Sequence, residues 1–504
     1  MDIISLDTTV SSTSMSRPNI LFVVMDTARA RNALPSTNAE TVPRITEFMS
    51  DGVEFSSAIS TAPWTLPSHA SLFTGQYTSD HNTDAGNKQF DPDYDSLPAI
   101  LNKSGYDTVA FSNNSWVSPD FGFDQGFDQF YPGWTLLEKG ADLAPAMREH
   151  DHPLEQIREL IKTASASEIP SMMANAAYAK FFRKRYDYGA AVTNWKVKSW
   201  FDRQYSGEDP FFIFINYLEP HLEYDPPKKH CNHLPDGVSI AEAKEIEQDA
   251  WGYVAGEIGM TQRDFEILEG LYDSELSYLD HRIGNLLDSM SENGILDDTM
   301  VVIVGDHGEN IGDHGLMDHQ YCLYDTLVHV PLLIRGTNKF RGGHEVEQVV
   351  ETRSLFPTIL EAADANVPEN PTIASSSLSE IVEDSSSAEE VAISEYLVPQ
   401  PDIETLKERS KANSESGYEQ YDRALRSLRT AEWKLIESSD GARELYDITS
   451  DPKELTDVSS EHSDIADELQ QRLQEDRGPL KKQDQDASSL DSGAQQRLED
   501  LGYI

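Results

Sequence analysis

The sequence predicts an α/β fold, with a large, doubly wound, mostly parallel sheet flanked by helices and a smaller C-terminal α+β subdomain. Three observations carry this. Continuous apolar runs, ILFVVM at 20–25, FFIFI at 211–215 and MVVIV at 300–304, have the form of strands buried on both faces of a parallel sheet. Helical patterns separate them, most clearly over 264–290, where Phe265, Leu268, Leu271, Leu276, Leu279, Ile283 and Leu287 recur at helical spacing. Each run leads into polar residues, Asp26, His221 and the pair Asp306 and His307. In such sheets ligands bind beyond the carboxyl ends of the strands.

The elements follow in order. Residues 1–17 lack a basic segment followed by an apolar run and read as a disordered N-terminus. Residues 18–365 read as the catalytic domain, with a helix-rich insert at about 136–206 carrying KFFRKR at 180–185, Lys196, Lys198 and Arg203. Two readings of that basic insert stand: a solvated, ion-paired helix pair, or a cap that draws in an anionic substrate. The C-terminal subdomain, 366–480, opens with a polar acidic linker over 368–390. It continues with strand-like VAISEYLV and RTAEWKLIES, a turn at Ser439, Asp440 and Gly441, the run ELYDI, and a helix near 461–475. Residues 481–504 read as a loose tail, and there is no internal repeat.

Composition bounds the function. With 88 Asp plus Glu against 40 Lys plus Arg the formal charge is −48, which excludes nucleic-acid binding through a general basic surface. Hydrophobic residues at 38% and aromatics at 9% supply a large core, so the chain is globular rather than an acidic disordered polymer. The acidic excess reads as a halophilic surface, soluble where salt screens charge within a few ångströms. Two cysteines, Cys231 and Cys322, make no disulfide framework. No apolar run is long enough to span a bilayer. The expectation is a soluble, cytoplasmic chain.

Two stretches can hold chemistry. In APWTLPSHASLFTG, 62–75, Thr65 stands where a helix begins. The hydroxyl could serve to cap that helix, and the same position offers free N–H groups and a positive dipole to an attacked anion. In VGDHGENIGDHGLMDH, 304–319, four acids and three histidines occupy 14 residues, spaced by three glycines. Carboxylate with imidazole is a common divalent-metal ligand set. Asp26 joins Asp306 and His307 as a third ligand, with the Thr65 oxygen as a fourth. Metal coordination would lower the pKa of that hydroxyl.

These motifs together, RPNILFVVMDTAR, AISTAPWTLPSHASLFTG, LYDSELSYLDHRIGNLL, IVGDHGENIGDHGL with YDTLVHVPLLIRG, and WKLIES with ELYDITSDPKE, resemble the sulfatase family of the alkaline phosphatase superfamily. The resemblance runs from Pro18 to about Arg472 and takes in the closing LEDLGYI. It implies an alkaline phosphatase-like, metal-dependent ester hydrolase with a smaller C-terminal domain on an antiparallel sheet. It implies metal ligands at Asp26, Asp306 and His307 and a nucleophile at Thr65. The departures matter. Family sulfatases carry Cys or Ser at the nucleophile position, matured to formylglycine; Thr65 cannot become that aldehyde, so no formylglycine is expected. The acid often found after the first aspartate is Thr27. A sulfate-gripping Gly-Lys-Trp-His stretch is replaced by Ser112-Asn113-Asn114-Ser115. The family's later lysine is missing, with His319 and Gln320 in its neighbourhood.

The expected chemistry follows. One divalent ion (Ca, Mn, Zn or Mg) sits with Asp26, Thr65, Asp306 and His307. Thr65 attacks in line, Asn113 and His69 steady the nonbridging oxygens, and His221 or His319 protonates the leaving group. His314 is expected in the outer shell of the metal. Tyr224, Lys228 and Lys229 are expected near the pocket. The substrate is a small or glycan-linked anionic ester. A Thr ester has no hemiacetal to collapse, so water must attack sulfur or phosphorus directly, which tilts the chemistry toward phosphate. A phosphoryl or phospho-alcohol transferase and an inactive binding protein are the alternatives.

Overall fold

The computed structural model describes residues 17–136, 187–337, 339–374, 376–384, 391–409, 418–483 and 492–500. Its strands, in chain order, are β1 (Asn19–Met25), β2 (Val53–Phe55), β3 (Ala58–Ile59), β4 (Asp107–Ser112), β5 (Gln129–Pro132), β6 (Phe211–Tyr217), β7 (Thr299–Gly305) and β8 (Asn310–Ile311). They continue with β9 (Met317–Asp318), β10 (Leu332–Arg335), β11 (His344–Val346), β12 (Val350–Glu351), β13 (Ala392–Tyr396), β14 (Leu425–Arg429), β15 (Trp433–Ser438) and β16 (Arg443–Asp447).

The apolar runs become the centre of the large sheet. Its order is β11-β2-β10-β7-β1-β6-β4-β5, and every residue of β1, β6 and β7 is buried. β1 pairs in parallel with both β6 and β7, β4 continues the parallel set, and β10 alone runs antiparallel to its neighbours β2 and β7. The predicted mostly parallel, helix-flanked sheet is therefore present. The carboxyl ends of β1, β4, β6 and β7 fall on one edge, which gathers Asp26, Asn113, Asn114, His221, Asp306 and His307 there.

The long helix spans Gln262–Glu292, opens with a capping box between Thr261 and Asp264, and buries Leu268, Leu271, Leu276, Leu279, Ile283 and Leu287. Its Tyr272 hydroxyl donates to Thr27 O at 2.8 Å and accepts from Arg29 N at 2.9 Å, propping the loop after β1. The helix Thr65–Thr74 is buried along its whole length. It stops at Gly75, whose φ of 71° suits glycine, and a Cβ there would come within 2.9 Å of Phe356.

The C-terminal sheet has the order β13-β14-β15-β16, all antiparallel, with the helix Ser463–Arg477 against it. β14 escaped the sequence reading because it carries arginines inward: Arg426 lies 3.2 Å from Glu395 and 3.8 Å from Glu437, and the strand is fully buried. Buried Lys434 on β15 contacts both Asp325 and Glu454 at 2.7 Å, tying this sheet to the loops of the large one.

Two expectations need correction. The acidic linker contains a helix, Leu378–Glu383, which Ser377 caps and which buries Leu378 and Ile381. The tail contains the helix Ser492–Asp500, held by buried Ala494 and Leu498 and by Arg497, which pairs with Asp120 and lies over Trp134. The predicted disordered N-terminus, apart from Arg17, and the KFFRKR stretch lie outside the described residues. Of the basic insert, the helix Ala190–Arg203 is described; its Lys196 is buried and donates to Pro132 O and Thr135 O, so this cation works as a strut. Among the described residues no helix is long and apolar enough to cross a membrane.

Candidate active site

Four strand ends and one helix start build the site. Asp26 follows β1, and Asp306 and His307 follow β7; the ligand atoms of this buried trio lie within 4.8 Å of one another. His307 Nε2 is 3.8 Å from Asp26 Oδ1 and 3.4 Å from Asp306 Oδ2. Those two carboxylate oxygens are buried with no hydrogen-bond partner among the described residues. Burial pushes the Asp26 carboxyl up to about 6, and burial together with the charge of Asp26 drives Asp306 well above the usual range. Burial holds His307 neutral, far below its ordinary pKa. Two orphaned carboxylate oxygens converging on a neutral imidazole fit a divalent cation, and these groups could hold one.

Thr65 is the first residue of its helix, and Trp64 occupies the capping position, so the hydroxyl is directed elsewhere. Its Oγ lies 3.2 Å from His307 Nε2 and accepts from Asn114 Nδ2 at 3.2 Å. The same Nδ2 donates to Asp26 Oδ2 at 2.7 Å, while Asn114 Oδ1 accepts from Trp116 N at 2.9 Å. Asn114, not Asn113, therefore joins the nucleophile position to the carboxylates. Asn113 turns its Oδ1 to the Thr193 hydroxyl at 3.0 Å and packs against Gly133, where a Cβ would lie 2.0 Å from it.

The expected anion contact from His69 is corrected as well. One helical turn after Thr65, it donates from Nδ1 to Thr65 O at 2.9 Å, and its Nε2 faces Asn216 Nδ2 at 3.4 Å. Its ring stacks edge-on against Phe214 and Phe123, and burial lowers its pKa to about 4. Both nitrogens are engaged, so His69 is a prop for the helix and for Asp306, which lies 3.5 Å away.

His319 approaches both His307 and His221. The His319 ring centroid is 4.5 Å from His307 and 5.3 Å from His221. His221 donates from Nδ1 to Leu222 O, which leaves Nε2 with a lone pair, and burial lowers its pKa to about 4. It is therefore an acceptor at neutral pH, not the proton donor expected. His319 Nδ1 lies against Asp318 and Glu309, which raise its pKa well above the ordinary value despite burial. His314 stacks on Tyr324 with ring centroids 3.6 Å apart. Tyr224 is buried against Tyr272, and Lys228 and Lys229 are exposed.

Several contributors were missed in sequence. Ser68, on the helix Thr65–Thr74, donates to Asp306 O at 2.7 Å, and Ser60 bonds the same carbonyl, locking helix to strand end. Asn216, next to last in β6, donates to Asp26 Oδ2 at 3.4 Å and accepts from Asn114 N at 3.2 Å. Thr27 holds a φ of 57°, a strained value for a β-branched residue, and its N–H donates to Asp306 Oδ1 at 3.3 Å. A polar residue near the end of an apolar strand was the available signal for Asn216; a serine one turn into a helix carries none.

A family model described as Sulfatase matches residues 18–365. The chain is similar to arylsulfatase K of Bos taurus, 24% identical over 496 residues, covering 90% of this chain and 81% of the relative. It is similar to an arylsulfatase of Clostridium perfringens, 23% identical over 484 residues, covering 91% and 94%. Among solved structures, the phosphonate monoester hydrolase of Agrobacterium radiobacter superposes with a TM-score of 0.66 at 19% identity, covering 91% of this chain and 95% of that one. A protein solved with its substrate D-glucosamine-2-N,6-O-disulfate superposes with a TM-score of 0.65 at 18% identity, covering 94% and 100%. With a family model spanning well over half its length, the chain belongs to the sulfatase family.

Proposed function

We propose that this sulfatase-family ester hydrolase cleaves an anionic ester, phosphate in preference to sulfate, with Thr65 as its nucleophile. The observation that carries the reading is the convergence of the Thr65 hydroxyl with Asn114 Nδ2 and His307 Nε2, each at 3.2 Å, beside the orphaned oxygens of Asp26 and Asp306. Asp26, Asp306 and His307, with Thr65, would hold a divalent cation. Bound there, such an ion supplies positive charge that favours the deprotonated hydroxyl and the charge of the transition state.

The chain's own groups do the rest. Asn114 fixes the hydroxyl relative to Asp26, and the first turn of the helix Thr65–Thr74 offers its N–H groups and dipole to the anion. Attack by the Thr65 oxygen in line forms its bond to phosphorus or sulfur, giving a Thr ester, and breaks the bond to the ester oxygen, which leaves as the alcohol with the proton that Thr65 gives up. Water must then attack the phosphorus or sulfur of that ester, because a threonyl ester lacks the hemiacetal exit of an aldehyde hydrate. Neutral His221, with its Nε2 lone pair, is suited to accept a proton from that water. The demand for a second substitution at the central atom favours phosphorus. The sulfated sugar of the structural neighbour supports keeping glycan-linked sulfate in the test.

That test is a panel of aryl phosphates, phosphodiesters, aryl sulfates and a sulfated glucosamine with Mn, Zn, Ca or Mg in high salt, run beside Thr65→Ala and Thr65→Ser. Phosphoester turnover should lead, Thr65→Ala should abolish it, and Thr65→Ser should keep a measurable fraction. Full activity in Thr65→Ala would refute the nucleophile. Faster sulfate turnover would refute the preference.

A further inference from the structure

Beside the first trio lies a second group of metal-ligand type, Glu309, Asp318 and His319, all buried, with donor atoms within 4.8 Å of one another. The hairpin of β8 and β9 sets Asn310 opposite Asp318. Glu309, one residue before β8, is thereby laid against the pair at the end of β9. His319 Nδ1 is 2.5 Å from Asp318 Oδ1 and 3.4 Å from Glu309 Oε1. Because the His307 and His319 ring centroids are 4.5 Å apart, the two groups adjoin.

Two buried carboxylates facing one imidazole nitrogen require positive charge. A proton on Nδ1 makes one hydrogen bond, and here it goes to Glu309 Oε1 at 3.4 Å, while Asp318 accepts from His319 N at 2.7 Å and from Gln320 Nε2 at 2.8 Å. Glu309 has that one long contact alone, and its Oε2 is buried with no hydrogen-bond partner among the described residues. Arg29 acts on Glu309 through its charge alone, since its own guanidinium nitrogens also lack hydrogen-bond partners among the described residues. A metal ion, by contrast, accepts all three donors at once. Ligands at roughly 2.0–2.2 Å around a tetrahedral ion stand about 3.3–3.5 Å apart, which the Glu309 to His319 separation of 3.4 Å already meets. The Asp318 carboxylate would need to open by about 1 Å to the same spacing.

We propose that Glu309, Asp318 and His319 bind a second divalent cation, of the zinc or manganese class that accepts one imidazole with two carboxylates, next to the site of Asp26, Asp306 and His307. The inference goes beyond the proposed function, which needs only the first site. It makes the centre a two-cation one, in which neighbouring ions can share the charge of the attacking and the leaving oxygen.

Zinc stoichiometry tests it without turnover. Full-length protein is stripped with chelator, dialysed against Zn2+ in molar sodium chloride so that surface carboxylates are screened, and analysed for metal. The wild type should retain two zinc ions per chain, Glu309→Gln one and Asp318→Asn one. Asp26→Asn should also retain one, and Asp26→Asn with Glu309→Gln none. One zinc in the wild type, or an unchanged count in both Glu309→Gln and Asp318→Asn, would overturn the proposal and leave the cluster to a proton on His319. Circular dichroism checks that each variant folds. If both second-site variants fail to fold, the wild-type count and its loss in Asp26→Asn still decide. Failure of the Thr65 reading appears separately, as retained activity in Thr65→Ala, and does not move the zinc count.

Discussion

Removing the Asn114 side chain should slow catalysis far more than removing that of its neighbour Asn113. In Asn114→Ala two donated hydrogen bonds vanish, one to the Thr65 hydroxyl at 3.2 Å and one to Asp26 Oδ2 at 2.7 Å. A hydrogen bond to a charged group contributes about 1.5–3 kcal/mol. If the bond to the attacking oxygen strengthens as that oxygen gains charge, its loss lowers kcat by about 10- to 150-fold at 1.36 kcal/mol per tenfold. The Trp116 N–H loses its acceptor as well, which costs about 1–3 kcal/mol of stability. Asn113→Ala loses a bond to Thr193 alone, so its kcat should stay within about threefold of wild type, the factor for roughly 0.6 kcal/mol. Steady-state kinetics on an aryl phosphate, with thermal melts of the same preparations, read both effects. Equal kcat losses in the two variants, or an unchanged kcat in Asn114→Ala, would refute the assignment of Asn114 to the nucleophile.

Lys434→Met should destabilise the fold by about 3–5 kcal/mol in denaturant titrations, because it strands Glu454 as a buried carboxylate and leaves Asp325 with Arg429 alone; a loss below about 1 kcal/mol would show that the C-terminal sheet is anchored otherwise. Burial first, and then the charge of Asp187, raise the Glu219 carboxyl to about 8. Its favourable contribution is thus complete below about pH 4.5 and is lost as pH rises through 8. Glu219→Gln keeps an acceptor for Tyr188 N and Ala190 N and should match wild type near pH 4.5 but exceed it in stability by a few kcal/mol above pH 8; a difference independent of pH would contradict this. Gly75→Ala, forced to a φ of 71° against Phe356, should cost about 1–3 kcal/mol, with no effect on melting as the contrary result. The charge of −48 predicts a melting temperature that climbs from about 0.1 M to molar sodium chloride as the Debye length falls from about 10 to 3 Å; a flat profile would remove the halophilic reading.

Much of the frame was legible because strands buried on both faces leave an unbroken apolar run, as β1, β6 and β7 do. The long helix was legible because its apolar stripe persists from Ile267 to Met290, about six turns. β14 was hidden, since its inward arginines read as surface until Glu395 and Glu437 pair with them. At the site, Asp26, Thr65, Asp306 and His307 stand at the ends of elements, where position alone marks them. The choice between Asn113 and Asn114 depends on a single residue of register after β4, and nothing in SNNS fixes it. Glu309 and Asp318 sat inside a motif already noted for its density, but only the pairing of β8 with β9 separates them from Asp306 and His307. The turn residues Gly312 to Gly315 were the available sign of that hairpin.

The central place of β1 has a consequence for synthesis. It pairs with β6 and β7, so its Leu21 sits beside Ile213 on one side and Val301 on the other. Those partners leave the ribosome long after it. Thr65 meets His307 across 242 residues of chain, and Asp26 meets Asn114 across 88. A nascent chain therefore carries an apolar strand with both edges open until β6 is made and one edge open until β7 follows, the condition under which strands associate wrongly. Chaperone capture should concentrate on chains that end before β7, and catalytic competence should appear last in refolding, behind the recovery of helix signal.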